Sequence, residues 1–249
     1  MKNILFASVA ALALSAGTAS AQQQEPRPGF PEITAQTRTS AGPIEASQRA
    51  VSFDKADLAI EIFPETHSIA GVATLDLTAK ERLTELTVDL DRNLPVSAIS
   101  VNGRALAKGA WSNPEGQLRL QLPEAVDAGE ALSVKIAYGG TPHVAVRAPW
   151  DGGFVWSKTP AGKPFIATAV QLQGCDLFWP CFDHPQAEPQ VMDLHITVPE
   201  GLSAPSNGVL QGIDELSDGR RTFNWRVTDP NTYGIALNVA PYEHMEGVY

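Results

Sequence analysis

Five histidines, His67, His143, His184, His195 and His244, are the side chains best suited to move a proton or hold a metal near neutral pH. A zinc peptidase of the His-Glu-x-x-His type needs two imidazoles four residues apart on a helix, so that both reach one ion. No pair has that spacing, and the closest, His184 and His195, is eleven residues apart. Each histidine by itself fits an ordinary core or surface position. A serine nucleophile on a strand-to-helix elbow would stand in Gly-x-Ser-x-Gly, which is absent. Cys181 and His184 are three residues apart in a proline-rich loop, a spacing that does not bring a thiol and its base together. Asp176 and Asp183 read as loop acids, and Gly152-Gly153 precedes a strand rather than the helix a phosphate loop requires. The residues of this chain therefore offer no complete catalytic or metal-binding constellation.

The elements that would position any site are strands. In Lys55 to Phe63, Ala56, Leu58, Ile60 and Ile62 point one way while Asp57 and Glu61 point the other. The same alternation runs through 72–77, 86–90, 118–122 and 132–136. Period-two patterning with one polar face marks antiparallel strands. Asn102-Gly103, Asp127-Ala128-Gly129 and Asp218-Gly219 supply turns, and nineteen prolines argue against long helices. In the second half, strands are expected over 165–173, 192–198, 221–227 and 233–239, with a loop and one helical turn between Cys175 and Pro189. The fold class is all-β, one domain of packed sheets over residues 49–249.

The first 21 residues read as a signal peptide. Lys2 gives the positive end, Ile4 to Leu14 the apolar run, and Ala19-Ser20-Ala21 the small-x-small cleavage pattern. The apolar run is about half the ~20 residues that span a bilayer, so no stable membrane insertion is expected. Residues 22–48, rich in Gln, Pro, Thr and Ser, read as a disordered leader. A net charge of −10 without a basic patch argues against nucleic acid as a partner. An exported chain, periplasmic or secreted, meets oxidising conditions, where Cys175 and Cys181 could pair; separate buried thiols fit equally well. The aromatic residues Trp150, Phe154, Trp156, Phe178 and Trp179 fall close together in sequence, either as core or as a binding platform.

Several segments carry a resemblance. Thr168 to Pro185 contains a Gln followed ten residues later by Cys181 in Pro180-Cys181-Phe182-Asp183-His184-Pro185. Ile69-Ala70-Gly71, Asp193 to Pro199, Ser206-Asn207-Gly208, Thr222 to Trp225 and Tyr233 to Tyr242 follow in family order and spacing. Together they resemble the N-terminal domain of the aminopeptidase N family of zinc metallopeptidases, the gluzincins, over residues ~50–249.

The resemblance implies a large, saddle-like, multi-sheet β-sandwich of antiparallel and mixed strands. It implies that Gln171 holds the free amino group of a peptide N-terminus, with Gln173 as the register alternative. A side-chain amide oxygen can accept from an ammonium, although as a dipole rather than a full charge. Zinc, its histidines and the exopeptidase loop belong to a catalytic domain absent from these residues, so no cofactor and no activity are expected of this chain alone. The family's Arg, four or five residues before Pro-Cys, is replaced here by Asp176 and Leu177, so the family's side-chain preference does not carry over. The competing expectation is a stand-alone peptide- or protein-binding β-sandwich module without catalysis.

Overall fold

A computed structural model of the chain describes residues 32–245 and residue 247. The expected signal peptide and residues 22–31 of the expected leader lie outside the described residues. Fourteen strands follow one short helix, α1 (Ala46–Arg49). They are β1 (Val51–Phe63), β2 (Ser68–Ala79), β3 (Leu83–Asp89), β4 (Val96–Val101), β5 (Arg104–Ala105), β6 (Trp111–Ser112) and β7 (Gln117–Val126). The remainder are β8 (Ala131–Gly140), β9 (Gly153–Lys158), β10 (Pro164–Ala169), β11 (Val191–Val198), β12 (Val209–Glu215), β13 (Arg221–Thr228) and β14 (Asn238–Val239). The all-β expectation holds.

Three sheets share one core. The largest has eight strands in the order β12-β13-β11-β1-β2-β8-β4-β5; two three-stranded sheets run β14-β10-β9 and β3-β7-β6. Pairing is antiparallel except between β1 and β11, so the large sheet is mixed. The period-two reading explains the burial. Ala56, Leu58, Ile60 and Ile62 of β1, Leu75 and Leu77 of β2, and Leu194 and Ile196 of β11 are all buried in one cluster. Each fully buried Leu or Ile contributes about 2 kcal/mol through lost apolar contact with water. The opposite face is polar. Asp193 on β11 binds Arg226 on β13 through two bonds of 2.6 and 2.8 Å and Lys55 on β1 at 2.7 Å, a ladder across three strands.

Two close contacts meet at Tyr138. Gly71 on β2 lies under the ring of Tyr138 on β8; a Cβ there would sit 2.3 Å from the ring. Tyr138 then donates from its hydroxyl to the Phe178 carbonyl at 2.8 Å, which ties the large sheet to the loop after β10. A side chain at 71 would displace that ring.

The structure departs from expectation in three places. The leader is packed from Glu32 onward: Ile33, Thr34, Thr37 and Gln48 are buried. Thr34 donates to the Glu115 carbonyl at 2.5 Å, and Gln48 donates to the Asp89 carboxylate at 2.7 Å. Its polar side chains find acceptors in the body of the domain, which composition alone does not reveal. Second, the strand expected over 165–173 stops at Ala169 and gives way to a turn. Third, the strand expected over 233–239 is replaced at its start by a 3-10 turn, Thr232–Gly234, because the Asn231 side chain accepts from the Tyr233 amide at 2.9 Å and caps it. Within that range, strand pairing is confined to β14.

Candidate functional site

The turn that ends β10 carries both glutamines. Gln173 and Gly174 each donate a backbone N–H to the Val170 carbonyl, at 3.1 and 2.9 Å. Leu172 takes a left-handed backbone at φ 74°. Gln171 and Gln173 therefore do not share one strand face, as the extended reading implied. Gln171 is exposed. Its Oε1 accepts from the Tyr233 hydroxyl at 3.3 Å. Gln173 is buried, and its Oε1 accepts from the Gly152 amide at 2.5 Å. Of the two, only Gln171 can meet a molecule from outside.

Beside Gln171 lies an open pocket of about 390 Å³. Leu172, Tyr233, Thr232, Pro185, Ser40 and Ala41 form much of its wall. Ser40 and Ala41 come from the packed leader. The Ser40 amide donates to the Leu172 carbonyl at 2.7 Å and its hydroxyl to Asp183 at 3.0 Å. The sequence offered no signal for Ser40, and it marked Tyr233 only as the start of a matching segment without a role, because their partners are remote along the chain.

Behind the turn, Cys175 and Cys181 are joined by a disulfide, which resolves the two readings of these thiols. The bond closes the loop that begins with the 3-10 turn Cys175–Leu177. Asp89 at the end of β3 pairs with Cys181 through backbone bonds of 2.8 and 3.0 Å, which anchors the loop to the third sheet. Carboxyl groups gather there. Burial pushes Asp89 up to about 6, against donors from the Asp183 amide and Gln48. Burial also pushes Asp176 well above the usual carboxylate range, and the charges of Asp183 and Asp89 act in the same direction. Asp183 and Asp91 are raised by burial as well. Asp89, Asp91 and Asp176 are packed into the protein, whereas Asp183 is partly exposed and lines the pocket.

The other chemistry-bearing residues scatter. His195 shares its Nδ1 with Asn224 at 2.6 Å and faces Asp57 at 3.7 Å, and the bond to Asp57 raises its pKa. His184 accepts from the Gln186 amide at 3.1 Å, and His67 stacks on Trp156. Among the described residues, no three His, Cys, Asp or Glu side chains converge on a metal position. The clustered aromatics do not form a platform. Phe154, Phe178 and Trp179 are buried, Trp156 is stacked against both His67 and Phe154, and of the five Trp150 alone is largely exposed.

An all-β domain of one mixed and two smaller sheets, with an exposed amide on the turn after β10, defines the class. The family model for the peptidase M1 N-terminal domain matches residues 52–233, and the chain belongs to that family. Among solved structures it is similar to an M1 zinc metallopeptidase from Deinococcus radiodurans, at 25% identity and a TM-score of 0.64. A variant of that enzyme bound to a Tyr-Ser-Ala substrate gives a TM-score of 0.65 at 25% identity. A two-domain M1 zinc metallopeptidase variant bound to L-arginine is 26% identical, with a TM-score of 0.64. In each case the match covers 82% of this chain and 45% of the other, so this chain spans under half the length of the structures it matches. No curated protein matches it.

Proposed function

We propose that this chain is the substrate-anchoring and structural N-terminal domain of an exported zinc aminopeptidase, which removes N-terminal residues from peptides. The observation that carries this reading is Gln171. It is exposed on a turn held at both of Leu172's backbone groups, it lies beside an open pocket, and it keeps an amide oxygen able to accept from an ammonium. A bound peptide would place its free amine there. Zinc does not fit the described residues, so the metal and its ligands would come from a catalytic domain, and the chain alone is inactive. The bonded cysteines and the signal-like first 21 residues support export to the periplasm or outside the cell.

The test is kinetic. In the domain joined to its catalytic partner, Gln171→Ala should raise KM for aminoacyl-arylamide substrates about tenfold, the scale of one lost bond to a charged group, with a smaller change in kcat. The reading frame past Tyr249 should encode His-Glu-x-x-His. An unchanged KM, or turnover by residues 22–249 alone, would overturn the reading.

A second reading, a binding module without catalysis, is favoured by one feature. The edge strand β12 and its turn expose Val209, Leu210, Ile213 and Leu216, and exposed edges invite pairing. Size-exclusion chromatography of residues 22–249 distinguishes it: a monomer without peptide affinity counts against the module.

A further inference from the structure

The turn that presents Gln171 is closed by the Gln173 and Gly174 amides on the Val170 carbonyl, but those bonds leave the amide and carbonyl of Leu172 to other partners. Leu172 adopts a left-handed backbone at φ 74°, a region that favours glycine. Its side chain is 58% exposed, so burial does not compensate. What holds it is a pair of backbone bonds to distant segments. Its carbonyl accepts from the Ser40 amide at 2.7 Å, and its amide donates to the Tyr233 hydroxyl at 3.1 Å.

The same hydroxyl donates to Gln171 Oε1 at 3.3 Å. A phenol has one proton to give and lone pairs to accept with, so Tyr233 can do both at once. Accepting from Leu172 orients the proton toward Gln171. The amide oxygen of Gln171 is thereby fixed against Tyr233, which lines the pocket, and that oxygen retains a lone pair.

Tyr233 is itself fixed. Its amide donates to Asn231 Oδ1 at 2.9 Å. Asn207 donates from Nδ2 to the Gly234 carbonyl at 2.9 Å and accepts from the Ala236 amide at 2.8 Å, clamping the segment from both ends. The Ser206-Asn207-Gly208 turn thus supports Tyr233. Gly208 allows it, since φ is 84° and a Cβ would lie 2.1 Å from the Arg226 carbonyl oxygen.

We infer that Tyr233 is the positioning residue of the amine-anchoring site: its hydroxyl sets both the turn at Leu172 and the orientation of the Gln171 amide that receives a peptide's free ammonium. This rests on the substrate-anchoring reading above. Tyr233 does not touch the substrate; it acts through Gln171.

Tyr233→Phe removes the hydroxyl and keeps the ring. In the domain joined to its catalytic partner, the variant should raise KM for aminoacyl-arylamides about three- to tenfold, the scale of one lost hydrogen bond, with kcat within about twofold. Combined with Gln171→Ala it should add nothing further, because both changes remove one arrangement. In the chain by itself, hydrogen exchange at the Leu172 amide should accelerate at least fivefold in Tyr233→Phe, while the β1 amides keep their protection. A purely structural role would move kcat and global protection together. If Gln171→Ala raises KM while Tyr233→Phe does not, or if the two effects add in full, the positioning role is wrong and the anchoring reading survives. Unchanged Leu172 exchange would also overturn it. If Gln171→Ala leaves KM unchanged, the anchoring reading falls, and the inference falls with it.

Discussion

Gln171 and Gln173 differ by two positions and by everything around them. One amide is exposed on a turn, and the other accepts from the Gly152 amide inside the protein. A Cβ at Gly152 would lie 2.7 Å from Gln173 Oε1, so the glycine and the glutamine are fitted to each other. Gln173→Ala leaves the buried Gly152 amide without an acceptor. It should destabilise the domain by about 1–3 kcal/mol, the cost of an unsatisfied buried donor. Urea denaturation of the variant measures this. The same substitution at exposed Gln171 should leave the midpoint nearly unchanged, so stability and substrate binding assign the two residues to different tasks.

At the scale of elements, the neighbouring strands β2 and β8 meet closely within the large sheet, where Gly71 pairs with Tyr138. Gly71 is needed there for room and not for backbone freedom. Gly71→Ala should cost about 1–3 kcal/mol by forcing the Tyr138 ring from its place, the range seen when a packed core is overfilled. The Tyr138 bond to the Phe178 carbonyl would be disturbed as well. Shrinking the ring in a Gly71→Ala, Tyr138→Leu double variant should recover part of the loss, and equilibrium denaturation of the three variants checks it. The disulfide loop is held from the other side by Asp89 and its backbone bonds to Cys181. The candidate site therefore hangs on a loop that three elements restrain: β3, β8 and the packed leader.

Across the whole molecule, buried carboxyls set the response to pH. Asp89 binds its proton up to about pH 6 when folded, against an ordinary value of 3.8. Between those values the folded state holds more protons than the unfolded chain, so stability falls as pH rises. For Asp89 alone the loss is on the order of 3 kcal/mol. Asp91, Asp176 and Asp183 are shifted in the same direction. Asp57 and Asp193 are lowered, by the bonds to His195 and Arg226 respectively, and Asp193 is drawn down to about 2. Their contribution is complete above the ordinary carboxylate value and is lost only below it. His195 is raised, chiefly by its bond to Asp57; its contribution is present below the ordinary value of 6.5 and fades as pH climbs through the raised one. The window from about pH 4 to 6 therefore belongs to the buried carboxyls. Asp89→Asn retains an oxygen acceptor for Gln48 and removes the titration. Relative to the native chain, the variant should gain on the order of 3 kcal/mol between pH 4 and pH 7. Thermal melts at the two pH values decide it, and parallel curves would contradict the assignment.

Alternation was legible because a strand's side chains repeat every two residues. The core of β1, β2, β8 and β11 follows directly from Leu58, Leu75, Val134 and Leu194. The glutamine turn was legible as a place, through its spacing from Cys181, but its shape was not. Whether Gln171 or Gln173 faces outward depends on where β10 stops, and that is decided by the Val170 carbonyl, the left-handed Leu172 and partners far along the chain. The leader shows the same limit. A polar segment reads as unable to pack because composition counts apolar surface, yet Thr34, Ser40 and Gln48 are held by acceptors on Glu115, Asp183 and Asp89. Local periodicity and the type of chemistry were determined by the sequence. Which cysteines join, which amide is presented and which carboxyls lose their water were decided by tertiary structure, since each depends on groups that only folding brings within hydrogen-bonding distance.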